Sequence, residues 1–66
     1  MKLKVNGKTI EVEPTQSLSE LLVRLGYRQQ WIAVAVNDCV VPHSEFDLRK
    51  IHDDDAIEIV APQAGG

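Results

Sequence analysis

Cysteine occurs once in the 66 residues, at Cys39, so no intramolecular disulfide can form. A disulfide-stapled secreted mini-protein is thereby excluded, and a reducing cytoplasm is the compartment that fits. Basic residues are outnumbered, seven Lys and Arg against ten Asp and Glu, for a formal net charge of -3. That leaves no cationic excess to neutralise phosphates, where most nucleic-acid affinity originates, so nucleic acid is not an expected partner. Long apolar runs are missing too: the longest, Trp31 to Val36, falls far short of the roughly 20 residues that cross a bilayer. Met1-Lys2-Leu3-Lys4-Val5 alternates where a secretory leader would continue into an apolar stretch, so export is not expected. The chain also lacks length. A domain this small buries only about 60% of its unfolded surface, which argues against a second domain and against a deep enclosed active site.

What is present is an ordinary globular composition, 44% hydrophobic and 26% charged, enough to fold. Apolar and polar residues alternate from Lys2 to Val5 and again through Ile10, Glu11, Val12 and Glu13, separated by Asn6-Gly7. Asn-Gly readily takes the two positive φ angles of a type I′ turn, which predicts a β-hairpin with Leu3, Val5, Ile10 and Val12 toward the core. Pro14 ends the second strand. Ser17-Leu18-Ser19-Glu20 has capping-box spacing, and Leu18, Leu21, Leu22 and Leu25 recur at i, i+3, i+4 and i+7. The pattern predicts a two-turn helix that lays its leucine stripe on the sheet and ends at Gly26. Ile32 to Val36 is apolar on both faces, as suits a strand covered on both sides or paired at an interface. Asn37-Asp38 turns into a return strand, Cys39-Val40-Val41, halted by Pro42. From His43 to His52 no period is sustained, and Phe46, Leu48 and Ile51 are expected to pin a short irregular or 3₁₀ segment to the core. Asp53-Asp54-Asp55 reads as a polar turn before a last strand, Ala56 to Val60. The order β-β-α-β-β-β predicts an α+β roll: one mixed sheet, the helix across one face, and the last strand parallel to the first. Residues 1–60 form the single domain and 61–66 a flexible tail.

Sites of chemistry are sparse. Cys39 lies in a strand without an adjacent His or Lys to lower its thiol pKa, so a buried structural cysteine is expected. Cys39, His43 and His52 do not share zinc-ligand spacing, and the three aspartates lack the alternation of a calcium loop, so no metal site is expected. With Glu58 those aspartates could steer a basic partner. Val23, Val36, Val41 or Phe46, if solvent-facing, would make an apolar docking patch. No nucleophile triad, phosphate loop or carboxylate pair stands out.

The tail is the exception. At about 7% glycine usage, two terminal glycines arise by chance in roughly one chain in 200. Gly65-Gly66 offers a carboxylate flanked by no Cβ, which a narrow slot can approach from all sides. Extended at about 3.3–3.6 Å per residue, 61–66 would reach roughly 20 Å past the sheet, with Pro62 helping set its direction.

Together, Asn6-Gly7, the Leu18 to Leu25 helix, Ile32-Ala33-Val34-Ala35-Val36-Asn37, Val40-Val41-Pro42, Ser44-Glu45-Phe46, Asp55-Ala56-Ile57-Glu58-Ile59-Val60 and Gly65-Gly66 resemble the ubiquitin-like β-grasp sulfur carriers. The likeness is greatest to the ThiS family of thiamine biosynthesis and spans the chain. It departs at His43, where Arg is common, at Phe46, where Trp is common, and at Asp54, where Gly is usual. The resemblance implies a β-grasp fold and a carrier in thiazole synthesis, not a catalyst. An E1-like adenylyltransferase of the ThiF type would adenylate Gly66, using ATP and magnesium that this chain does not itself bind. A cysteine desulfurase or another persulfide protein would supply sulfur, and the resulting thiocarboxylate would deliver it to a thiazole synthase of the ThiG type. Gly65 and Ala64 would thread into partner active sites, and Phe46, Val60 and Pro62 would contribute to docking. A molybdopterin-synthase small-subunit-like carrier and a β-grasp interaction module or ubiquitin-like modifier are the alternatives.

Overall fold

A computed structural model describes residues 1–61, and Pro62, Gln63, Ala64, Gly65 and Gly66 lie outside the described residues. The chain opens with β1 (Lys2–Val5) and β2 (Lys8–Glu11), paired antiparallel with Leu3 opposite Ile10 and Val5 opposite Lys8. Asn6 and Gly7 both take positive φ, 50° and 84°, the signature of the expected type I′ turn. Leu3 is buried, while Val5, Ile10 and Val12 are half-buried against the core.

Helix α1 (Leu18–Arg24) buries Leu18, Leu21 and Leu22 completely. Its first four N–H groups have no partner inside the helix, so each needs one from elsewhere. Leu18 N–H donates to Arg49 O at 2.8 Å and Ser19 N–H to Phe46 O at 3.0 Å, while Glu20 N–H meets Ser17 Oγ and Leu21 N–H meets Ser17 O. The Glu20 carboxylate reaches back one residue further than a capping box requires and accepts the Gln16 N–H at 2.9 Å. At the other end Gly26, φ 86°, donates to Val23 O and Tyr27 to Leu22 O, a Schellman stop.

Strands β3 (Ala33–Val36), β4 (Cys39–Val41) and β5 (Ala56–Val60) complete a five-stranded sheet in the order β2-β1-β5-β3-β4. β5 runs parallel to β1 and antiparallel to β3, so the N-terminus of β1 and the C-terminus of β5 lie at opposite strand ends. One face of the sheet packs against α1 around Leu3, Val34, Val36, Ile57 and Ile59. β3 therefore is not covered on both sides. Val34 and Val36 are buried, whereas Ala33 is exposed and Ala35 half-buried. Only the helix-side face needs bulk, and alanine leaves little apolar surface on the other.

Between β4 and β5 the chain makes a 3₁₀ turn at His43–Glu45 and inserts Phe46 and Ile51 into the core. Leu48, expected to join them, is 76% exposed, because the segment carries only its two flanking side chains inward. A second 3₁₀ turn, Gln29–Trp31, precedes β3. Among the described residues no helix is long and apolar enough to cross a membrane.

The Gln16 N–H, and after it Arg24 at 3.4 Å, hold the Glu20 carboxyl below its ordinary pKa. The unfolded chain thus takes up the Glu20 proton at higher pH than the folded chain. This contribution to stability is complete above the ordinary carboxylate range and is lost as pH falls through the depressed folded value. Melting temperatures of the wild type and Glu20→Gln should therefore converge as pH is lowered from neutral into that range. A gap that stays constant with pH would show that the Glu20 charge adds nothing.

Candidate functional site

The uncovered face of the sheet is built from the alternate residues of each strand. β1 contributes Lys2 and Lys4, β5 contributes Ala56, Glu58 and Val60, β3 contributes Ala33 and Ala35, and β4 contributes Val40. Register sets them side by side, Val60 opposite Ala33, Glu58 opposite Ala35, and Ala35 opposite Val40. β2 adds Thr9 and Glu11, with Glu11 opposite Lys2, so the β2-β1 side carries charges of both signs and the β3-β4 side is apolar. Val60 and Val40 stand 66% and 78% exposed over the two small alanines.

At the corner where β5 ends, the apolar strip runs into a shallow open groove lined by Gln30, Trp31, Ile32, Ala33, His43 and Val60. Trp31 is 61% exposed, the largest apolar side chain on the described surface. The alternation that places Ala33 and Ala35 outward also places Trp31 outward, so the signal was in the sequence, beneath a run that reads as uniformly apolar. His43 closes the opposite wall. Its Nε2 lies 2.6 Å from Ile32 O, a carbonyl that can only accept, so Nε2 carries the proton. The ring meets Phe46 edge-on, centroids 5.0 Å apart.

Three expected docking positions are corrected. Phe46 is 2% exposed, and Val36 and Val41 are buried as well, because all three complete the core under β3 and β4. Phe46 supports the groove from below, through His43, without reaching its surface. Val23 is exposed but lies on the solvent side of α1, and Val60 is at the groove. Pro62, Ala64, Gly65 and Gly66 are outside the described residues.

Cys39 is exposed, contrary to a structural burial. It pairs with Val36, on the side of the sheet that α1 covers, but at the turn end of an edge strand. The aspartate turn is less solvated than expected. Asp55 is buried, accepting the His52 N–H at 2.8 Å and Asn37 Nδ2 at 3.0 Å, and Asp53 accepts the Lys2 N–H at 2.6 Å. Asp54 adopts φ 69°, the left-handed conformation that the usual glycine would take more freely. Cys39, His43 and His52 do not converge, and no group of three His, Cys, Asp or Glu among the described residues could hold a metal ion.

Residues 3–66 match the model of the ThiS family. The chain belongs to the ThiS family. It is 30% identical to the sulfur carrier protein ThiS of Escherichia coli K12 over 66 residues, covering all of both chains. The crystal structure of a thiamine biosynthesis protein, ThiS, from Geobacter metallireducens superposes with a TM-score of 0.83 at 32% identity, again over all of both chains. The architecture is thus the ubiquitin-like β-grasp of that family. A thiazole synthase of Magnetococcus marinus is 33% identical over 66 residues, all of this chain but only 20% of the length of that protein. A ThiS-like unit therefore also occurs within a longer polypeptide named for the synthase.

Because Cys39 is exposed, a colourless aromatic disulfide reagent should label it in the folded protein nearly as fast as in the denatured chain. Protection of about a hundredfold or more would place the thiol within the folded structure.

Proposed function

We propose that this chain is a sulfur carrier for thiamine thiazole synthesis, whose cargo rides on the Gly66 carboxylate. The observation that carries the reading is a ThiS-family β-grasp whose sequence carries Gly65-Gly66 shortly after β5. The carboxylate is a poor electrophile, so sulfur cannot be added to it directly. An E1-like adenylyltransferase would join one carboxylate oxygen to the α-phosphorus of ATP, expelling pyrophosphate. Persulfide sulfur then attacks the acyl carbon and expels AMP, leaving an acyl disulfide. A second thiol opens the S–S bond, taking one sulfur into a new disulfide and freeing the thiocarboxylate. Thiazole synthase would accept that sulfur. The chain acts as a protein co-substrate throughout: its fold presents the tail, Gly65 and Ala64 keep the approach narrow, and the partners supply ATP, magnesium and the persulfide.

Docking falls to the uncovered face. A partner that takes the tail must lie against the end of β5, and there the surface is Val60, Ala33, Trp31 and the groove between them. Small residues flanked by larger exposed apolar ones allow a close approach with little polar surface to desolvate.

Charging is tested by the intact mass of the chain ending at Gly66, after incubation with a ThiF-type adenylyltransferase, ATP, magnesium and a persulfide donor. We expect a mass rise equal to replacement of one oxygen by sulfur, abolished by Gly66→Ala. No rise, with enzymes active on a known carrier, would favour the interaction-module or modifier alternatives.

Val60→Asp tests the docking face. Val60 contributes exposed surface and no core volume, so the variant should melt within a few degrees of the wild type. Its apparent KM as substrate for the adenylyltransferase should rise about tenfold or more. An unchanged KM would move docking off this face.

A further inference from the structure

β5 is held on both flanks by asparagines that stand at the tips of the two hairpins. On the β3 side Asn37, φ 51°, donates its N–H to Ala56 O at 2.7 Å and accepts the Ala56 N–H on Oδ1 at 2.9 Å, fixing the start of the strand. On the β1 side the parallel ladder advances in regular steps: Lys4 N–H donates to Asp55 O, and Asn6 N–H to Ile57 O. The next bond would run from the Ile59 N–H to the main-chain carbonyl of residue 6. Asn6 has left the strand at φ 50° to begin the type I′ turn, so its main-chain carbonyl no longer continues the ladder. Its side chain substitutes, Oδ1 accepting the Ile59 N–H at 2.7 Å across 53 positions of sequence. Only the oxygen end of the amide can face an N–H donor, which settles the orientation of the side chain.

We propose that Asn6 is a positioning residue for the charging reaction: its side chain extends the β1–β5 ladder by one bond and thereby sets the line along which the chain leaves the sheet after Val60. The turn alone does not demand asparagine, since Gly or Asp also serves at the first central position of a type I′ turn. What Asn adds over Gly is a carbonyl in reach of β5. On the opposite flank β3 pairs as far as Val60. Without the Asn6 bond, β5 would be held at its exit from one side only, free to swing about the β3 edge. The enzyme that takes the tail must lie against the end of β5, so a swing there shifts the docked chain against the reacting groups, and misplacement by about 1 Å can cost up to about a hundredfold in rate. The inference rests on the sulfur-carrier reading.

Two substitutions separate turn from clamp. Asn6→Gly keeps the positive-φ turn and removes the acceptor, while Asn6→Asp keeps both. For Asn6→Gly we expect exchange of the Ile59 amide hydrogen to accelerate about tenfold, the loss of one net hydrogen bond. In the adenylyltransferase assay, run on chains ending at Gly66, kcat should fall about three- to tenfold with KM within about twofold of the wild type. Asn6→Asp should restore both readouts. An Asn6→Gly chain with unchanged kcat, a rise in KM alone, Ile59 exchange equal to that of the wild type, or failure of Asn6→Asp to restore kcat would each overturn the positioning role. A wild-type chain that is never charged overturns the carrier reading and this role with it. The two failures are distinguishable because only the second is seen before any substitution is made.

Discussion

β5 is the last core element among the described residues and the middle strand of the sheet, and its two flanking ladders are all that joins the N-terminal hairpin to the β3-β4 hairpin within the sheet. Until it pairs, β1 with β2 and β3 with β4 are two separate ribbons, and a two-stranded ribbon alone is marginal in water. Its parallel contact with β1 brings together residues more than fifty positions apart, Lys4 with Ala56 and Val5 with Ile57. Closing so long a loop costs entropy before any bond repays it, so folding should be limited by this step. The alternating burial of Ile57 and Ile59 then ties the ladder to the helix-side core.

The helix is short, and its placement is secured at its ends more than by its length. Seven residues contribute little intrinsic helicity. The start is stitched to the 42–55 segment by main-chain bonds to Arg49 and Phe46, and the isolated bridge of Ser17 with Lys50 lies beside them. The same segment plugs the core with Phe46 and Ile51, so an irregular loop does the work of a second helix. With one face of the sheet committed to this layer, the opposite face is left for surface chemistry, of mixed charge toward β1 and β2 and apolar toward β4.

Much of this was legible in the residues. Asn6-Gly7 specifies its hairpin because few residue pairs accept two positive φ angles, and Ser17 with Gly26 brackets the helix because each meets a backbone need that other residues meet poorly. The topology followed from the order of elements and the length of the last connection. Other features were hidden for physical reasons. Burial of Phe46 and exposure of Leu48, two positions apart, depend on how an aperiodic segment turns. Cys39 lies on the helix side of the sheet yet at the tip of an edge strand, where parity and exposure disagree. The reach of Asn6 to Ile59 and of Asn37 to Asp55 is long-range, and no local pattern announces a side chain that completes another strand's ladder. As for the site, the groove around Trp31 could have been read from alternation, while the terminal diglycine was plain from the outset and lies outside the described residues.

The parallel pairing of β1 and β5 has a mechanical consequence. Because the two strands run the same way, force applied between the N-terminus and the chain beyond Val60 is directed along the strands in opposite senses. It loads their hydrogen bonds sideways, all together, instead of peeling them one after another from an end. The antiparallel ladder between β5 and β3 is likewise dragged along its length. A machine that grips the tail and pulls would meet resistance from both ladders at once, and this small domain should therefore withstand traction better than its modest core suggests.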